Sequence, residues 1–127
     1  MAGDGLKGPV QEVTGAWANA FVRNDPEALS SLYTDDAFFY GSKPELLRGR
    51  EGALYYFSSL PERGSAEVEF TDIEAIELSD NVISSAMIGR FKIDGDAKRL
   101  VRFTFLIVRN AGTWRISSHH ASPQVWN

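Results

Sequence analysis

From Ala66 to Pro123 the chain reads almost without interruption as strand, and everything that reads as helix lies before it. Ala66, Val68 and Phe70 alternate with Glu67, Glu69 and Thr71, the pattern of a strand with one buried and one solvated face. Ile73 and Ala75 break that phase before Ile76 and Leu78 resume it, which predicts a bulge near Asp72–Glu74. Ser79-Asp80-Asn81 is a turn, residues 82–93 make a long strand, and Asp94-Gly95-Asp96 is hairpin chemistry. Residues 100–109 form the most hydrophobic strand, with Val101, Phe103, Phe105 and Ile107 on one face. Asn110-Ala111-Gly112 then turns into a closing strand over 113–123. Long antiparallel strands following a helical opening are the order of an α+β domain.

The opening supplies three helices. Val10, Val13, Trp17, Ala20 and Phe21 form one apolar stripe of helical period from Pro9 to about Arg23 or Asn24, while Gly3, Gly5 and Gly8 make residues 1–8 a flexible lead-in. Asp25 reads as the N-cap of a short second helix with Pro26 in its first position, burying Leu29, Leu32 and Tyr33. Thr34-Asp35-Asp36 is turn chemistry, and Ala37-Phe38-Phe39-Tyr40 is a brief strand. Gly49 and Gly52 bracket the start of a third helix, whose stripe is Ala53, Phe57 and Leu60. Residues 9–127 are therefore one domain, expected to be a cone in which a strongly curved, mainly antiparallel sheet folds over the helices.

Composition narrows the function. A net charge of −4 with no basic run argues against nucleic acid, and no stretch approaches a membrane span. There is no cysteine and no apolar leader, so a cytoplasmic protein is expected.

The closing strand holds the only two histidines. Successive strand side chains face opposite ways, so Trp114, Ile116, Ser118, His120 and Ser122 share one face, and Arg115, Ser117, His119 and Ala121 the other. The face that begins with Trp and Ile is the one to bury. That puts His120 in a pocket between Ser118 and Ser122, and His119 outside, toward a dimer interface. An imidazole titrates at about pH 6.5 and can serve as a general base; the bland reading is a buried histidine satisfied by a hydroxyl. Two diverging histidines without thiolates do not assemble a zinc site, so neither metal nor cofactor is expected.

The sequence from Val13 and Trp17 through Asn24-Asp25-Pro26-Glu27-Ala28-Leu29 to Leu32-Tyr33 and Asp36-Ala37 resembles the opening of the nuclear transport factor 2-like (SnoaL-like, cystatin-like) superfamily. Val101-Arg102-Phe103-Thr104-Phe105, Gly112-Thr113-Trp114-Arg115-Ile116 and His119-His120-Ala121-Ser122 resemble a branch ending in a His-His-Ser-Ser motif. That branch includes the association domain of calcium/calmodulin-dependent kinase II, enediyne-cluster proteins and iota-class carbonic anhydrases. Tyr40-Gly41-Ser42, Pro44, Arg48 and Tyr56-Phe57 are similar to the anhydrase segment Trp-Gly-Thr, Ser-Pro, Arg, Tyr-Phe.

The resemblance implies a homodimer packed through the sheet and a small-molecule pocket between sheet and helices. In its anhydrase form it implies metal-free hydration of carbon dioxide by Ser42, Tyr56, His120 and Ser122. In its other forms it implies a ligand-holding accessory protein of a biosynthetic pathway or an oligomerisation module. Ala121 stands where the motif has serine, on the face expected to point away from the pocket. Trp17, Phe38 and Tyr40 read as pocket wall or core, and Thr104, Trp114 and Ser118 are placed with the pocket. Arg102 either faces a pocket anion or pairs with a neighbouring acid. Trp126 suits dimer contact or pocket closure.

Overall fold

The computed structural model describes residues 2–124. Helix α1 (Ala2–Val22) buries the stripe read from the sequence, with Val10, Val13, Trp17, Ala20 and Phe21 all at most 7% exposed. It begins earlier than expected: residues 2–8 are helical rather than a lead-in, and Pro9 lies inside. A proline within a helix removes one i→i−4 hydrogen bond, and α1 carries that loss instead of starting at Pro9.

The other end of α1 follows its sequence. Asn24 takes a left-handed φ of 56°, and the Asn24 and Asp25 amides donate to the Phe21 and Ala20 carbonyls, closing the last turn. Asp25 at once caps α2 (Pro26–Ser30), its carboxylate accepting from the Ala28 amide at 3.0 Å.

Tyr33 and Thr34-Asp35-Asp36, expected in a helix and a turn, instead open strand β1 (Tyr33–Tyr40). The register shifts between Tyr33 and Phe38, so the polar Thr-Asp-Asp sits in an irregular part of the strand. After β2 (Leu47–Arg48) comes α3 (Gly49–Ser58), burying Ala53 and Phe57. Gly49 has φ +68°, and a Cβ there would lie 2.3 Å from the Asp35 carbonyl oxygen, so no other residue fits that helix start.

Strands β3 (Ala66–Ser79), β4 (Val82–Ile93), β5 (Arg99–Asn110) and β6 (Thr113–Pro123) complete a curved, unclosed six-stranded sheet in the order β2-β1-β6-β5-β4-β3. Among the described residues only the β1–β6 pair is parallel. The bulge expected near Asp72 is present: the β3–β4 register shifts between Thr71 and Glu74, and Asp72 has φ 57°. Ala111-Gly112 takes positive φ at both positions, as a two-residue hairpin turn requires, and Asp94-Gly95 does the same in a tight turn that opens the longer β4–β5 connection, closed by the Asp96 amide donating to the Ile93 carbonyl.

A second bulge decides the site. Ile107 pairs with Ile116, but Leu106 pairs with Ser118, so β6 contains one extra residue at Ser117. A one-residue slip turns every later side chain to the other face. Ile116 is buried before it; His119, 3% exposed, is buried after it, and His120 is exposed. Among the described residues no helix is long and apolar enough to cross a membrane.

Candidate functional site

A cavity of about 430 Å³ opens between the concave face of the sheet and helices α1 and α3. That volume lies within the range of small-molecule sites, about 300–1,000 Å³. Trp17 and Phe21 supply one wall, Phe57 and Leu60 a second, and Phe91, Leu100, Val101 and Phe103 a third. The aromatic rings brace one another. Trp17 stacks on Phe21 at 5.1 Å and meets Phe57, Phe91 and Phe103 edge-on at 5.9, 6.1 and 5.9 Å.

His119 is the one imidazole at this cavity. Its ring stacks on Phe39 at 4.1 Å and lies 5.1 Å from Phe105. The Trp17 indole N–H donates to the Tyr33 hydroxyl at 3.0 Å, and that hydroxyl lies 2.9 Å from His119 Nδ1. The direction of this relay follows from counting protons. An indole can only donate, so the Tyr33 oxygen accepts from it. If His119 Nδ1–H also donated to that oxygen, the phenolic proton of the fully buried Tyr33 would lack a partner, at a cost of about 1–3 kcal/mol. The phenol therefore donates to Nδ1, and the ring proton sits on Nε2.

Burial, followed by the neighbouring His120, pushes the His119 pKa down to about 3. Burial also holds the Tyr33 phenol well above its ordinary range. At neutral pH His119 is thus a neutral donor through Nε2–H, and among the described residues no protein group accepts from that atom. A neutral imidazole fixed in this way polarises or orients an acceptor; with Nδ1 engaged and the pKa so low, it is a poor base.

A second polar pair lies at the rim. The Ser42 and Tyr56 hydroxyls are 2.8 Å apart, and the Ser42 amide donates to the Tyr56 oxygen at 3.3 Å. Gly41 permits this closure, because a Cβ there would sit 2.7 Å from the Phe39 ring and 3.0 Å from that of Tyr56. Among the described residues no aspartate or glutamate lines the cavity, and Arg99 is its one charged residue. Nor do three or more metal-ligating side chains cluster among them.

Of the residues singled out from sequence, Trp17, Ser42 and Tyr56 come together on this cavity, and Ser122 borders it near the end of β6 although it pairs with Arg102 and shares the alternation of the outer row. His120 does not. The Ser117 bulge turns it to the convex face, across from Thr104 and 5.5 Å from the Tyr40 ring. Phe38, Tyr40, Arg102, Thr104 and Ser118 are on that same outer face, so their assignment to the pocket is corrected along with that of His120. Trp114 is half-buried, with the Arg109 guanidinium 5.2 Å from its ring, and does not reach the cavity. Ala121, expected to face away, lines it. Trp126 lies outside the described residues.

Sequence reading missed His119, Tyr33 and Ala121 as site residues. One signal pointed to His119 and Ala121: alanine is the only apolar residue in the Ser-Ser-His-His-Ala-Ser run, and it shares the alternation of His119 rather than that of His120.

Comparison with known proteins agrees with this fold. The model of the SnoaL-like domain matches residues 10–125. A Streptomyces avermitilis protein described as a dehydratase of the NTF2-like family superposes with a TM-score of 0.81 at 20% identity, covering 97% of this chain and 99% of that one. A Xanthomonas campestris protein described as a calcium/calmodulin-dependent protein kinase II association domain gives 0.80 at 22% identity, covering 91% and 85%. A Novosphingobium aromaticivorans protein described as a scytalone dehydratase gives 0.80 at 10% identity, covering 92% and 83%. These likenesses establish the fold. No curated protein matches the chain in sequence.

Proposed function

The chain belongs to the SnoaL-like (NTF2-like) family, and from that premise we propose that it binds a small apolar molecule through one hydrogen-bond acceptor. The observation that carries this reading is the Trp17–Tyr33–His119 relay, which presents a fixed Nε2–H donor to a cavity whose walls are mostly aromatic and aliphatic. Such a site orients a carbonyl or ether oxygen while the rings enclose the hydrocarbon body. An accessory protein that holds an apolar intermediate of a biosynthetic pathway would need this combination.

Metal-free acid–base catalysis, carbon dioxide hydration included, has less support. Its intended base, His120, is on the convex face, and a cavity of about 430 Å³ far exceeds what carbon dioxide needs. Hydration activity in the wild type that disappears in His120→Ala would reinstate it.

The binding reading is tested with a neutral aromatic ketone and its parent hydrocarbon. His119→Phe, which keeps the ring stack, should weaken the ketone about tenfold and leave the hydrocarbon unaffected. Equal effects on the two ligands, or none, would contradict the donor role.

A second copy of the chain is the proposed partner, packed on the convex face where Phe38 and Tyr40 are 49% and 42% exposed. Sedimentation should find a dimer that Tyr40→Glu shifts toward monomer; a monomeric wild type would exclude it.

A further inference from the structure

We propose that the cavity takes an elongated apolar carboxylate, its hydrocarbon body inside and its acid group on Arg99 at the mouth. The inference rests on the binding reading above and names the ligand class. Arg99 is the first residue of β5 and shares a face with Val101, Phe103 and Phe105 by strand alternation. Val101 and Phe103 line the cavity with it, so Arg99 is the charged end of an otherwise apolar inward row.

His119 pairs with Phe105, at the other end of that row. Arg99 and Phe105 are six residues apart on β5, about 20 Å along the strand at about 3.4 Å per residue. The side chains shorten that span, but the two polar groups still mark opposite ends of one apolar channel. A compact ligand meets one of them; a long one meets both. The occupant that satisfies the whole lining therefore has an acceptor for Nε2–H deep inside, a hydrocarbon middle and an anion outside.

The guanidinium is available for that anion. Its nearest carboxylate is Asp96 at 4.0 Å, the outer limit of an ion pair, and the two side chains are 69% and 66% exposed. A ligand carboxylate can instead present two oxygens to the planar fork, the bidentate geometry in which arginine exceeds lysine. The chain as a whole carries −4, so it does not attract anions in general. Selection for an acid is local to the mouth, where Arg99 is the one charged residue lining the cavity among those described.

The test compares decanoate with decanol by isothermal titration calorimetry, using the intact chain at low salt. The wild type should prefer decanoate by about tenfold or more, as expected for a charged hydrogen bond. Arg99→Gln should bring the ratio of the two affinities to about one, and Arg99→Lys should restore only part of it. Ala121→Trp, which fills the cavity wall, should abolish binding of either ligand. Equal affinities in the wild type, or a preference that survives Arg99→Gln, would overturn the carboxylate assignment while leaving the binding reading intact. A preference that survives Ala121→Trp would place the acid outside the cavity and also overturn it. If the wild type binds the aromatic ketone but neither of these ligands, the carboxylate assignment alone falls; if it binds none of the three, the binding reading fails and takes this inference with it.

Discussion

His119 and His120 are consecutive on β6, yet one ring is stacked against Phe39 beside Phe105 while the other stands next to Tyr40 on the convex face. The concave environment consists of aromatic rings and a directed relay from Trp17 through Tyr33. The convex one is a half-exposed surface of Phe38, Tyr40, Thr104 and Arg102. Identical side chains thus acquire opposite surroundings from a single extra residue at Ser117. Chemical potential in this fold belongs to the face, and register decides which residue receives it.

The largest expected contrast between the faces is in stability. Tyr33→Phe removes the acceptor of the Trp17 indole and the donor to His119 together, leaving two buried groups unpaired. At about 1–3 kcal/mol for each group, denaturant unfolding should register a loss of about 2–6 kcal/mol. Tyr40→Phe, on the convex side, should stay within about 0.5 kcal/mol. Similar costs for the two variants would break the comparison.

The next contrast is with pH. The His119 pKa is depressed from 6.5 to about 3 in the folded chain, so between those values the unfolded state binds the extra proton and the folded state does not. Stability contributed by the neutral ring is complete above pH 6.5 and falls as pH drops toward about 3, by up to about 1.4 kcal/mol per pH unit. His119→Phe should flatten this acid slope in urea titrations. An unchanged slope would mean that other groups carry it.

The smallest effect belongs to His120. His120→Ala should alter stability by no more than about 0.5 kcal/mol and leave small-molecule affinity as it is. A large loss of affinity would return His120 to the site and undo the distinction between the faces.

Much of the fold was legible because local chemistry and tertiary packing agree. The α1 stripe, the Asp25 cap, the Asp72 bulge and the two glycine turns each have a residue-level cause that tertiary contacts do not override. The site was half legible. Trp17, Ser42, Tyr56 and Ser122 reach the cavity, whereas the alternation rule failed at its most consequential position. Trp114 and Ile116, the apolar markers that set the phase, both precede the bulge. The polar run of Ser117, Ser118, His119 and His120 after them holds no aliphatic residue to announce the slip. Tyr33 was hidden for a related reason. Thr34-Asp35-Asp36 looks like a turn, so the tyrosine before it appeared to end a helix rather than begin the strand beside β6.

The most direct measurement is the ring-nitrogen NMR spectrum of His119, assigned by comparison with His119→Phe. The relay requires a neutral Nε2–H tautomer, with Nδ1 accepting from Tyr33, that persists without titrating from neutral pH down to about pH 5. A ring protonated on Nδ1, or one that gains its second proton at about pH 6.5 like a solvated histidine, would contradict it.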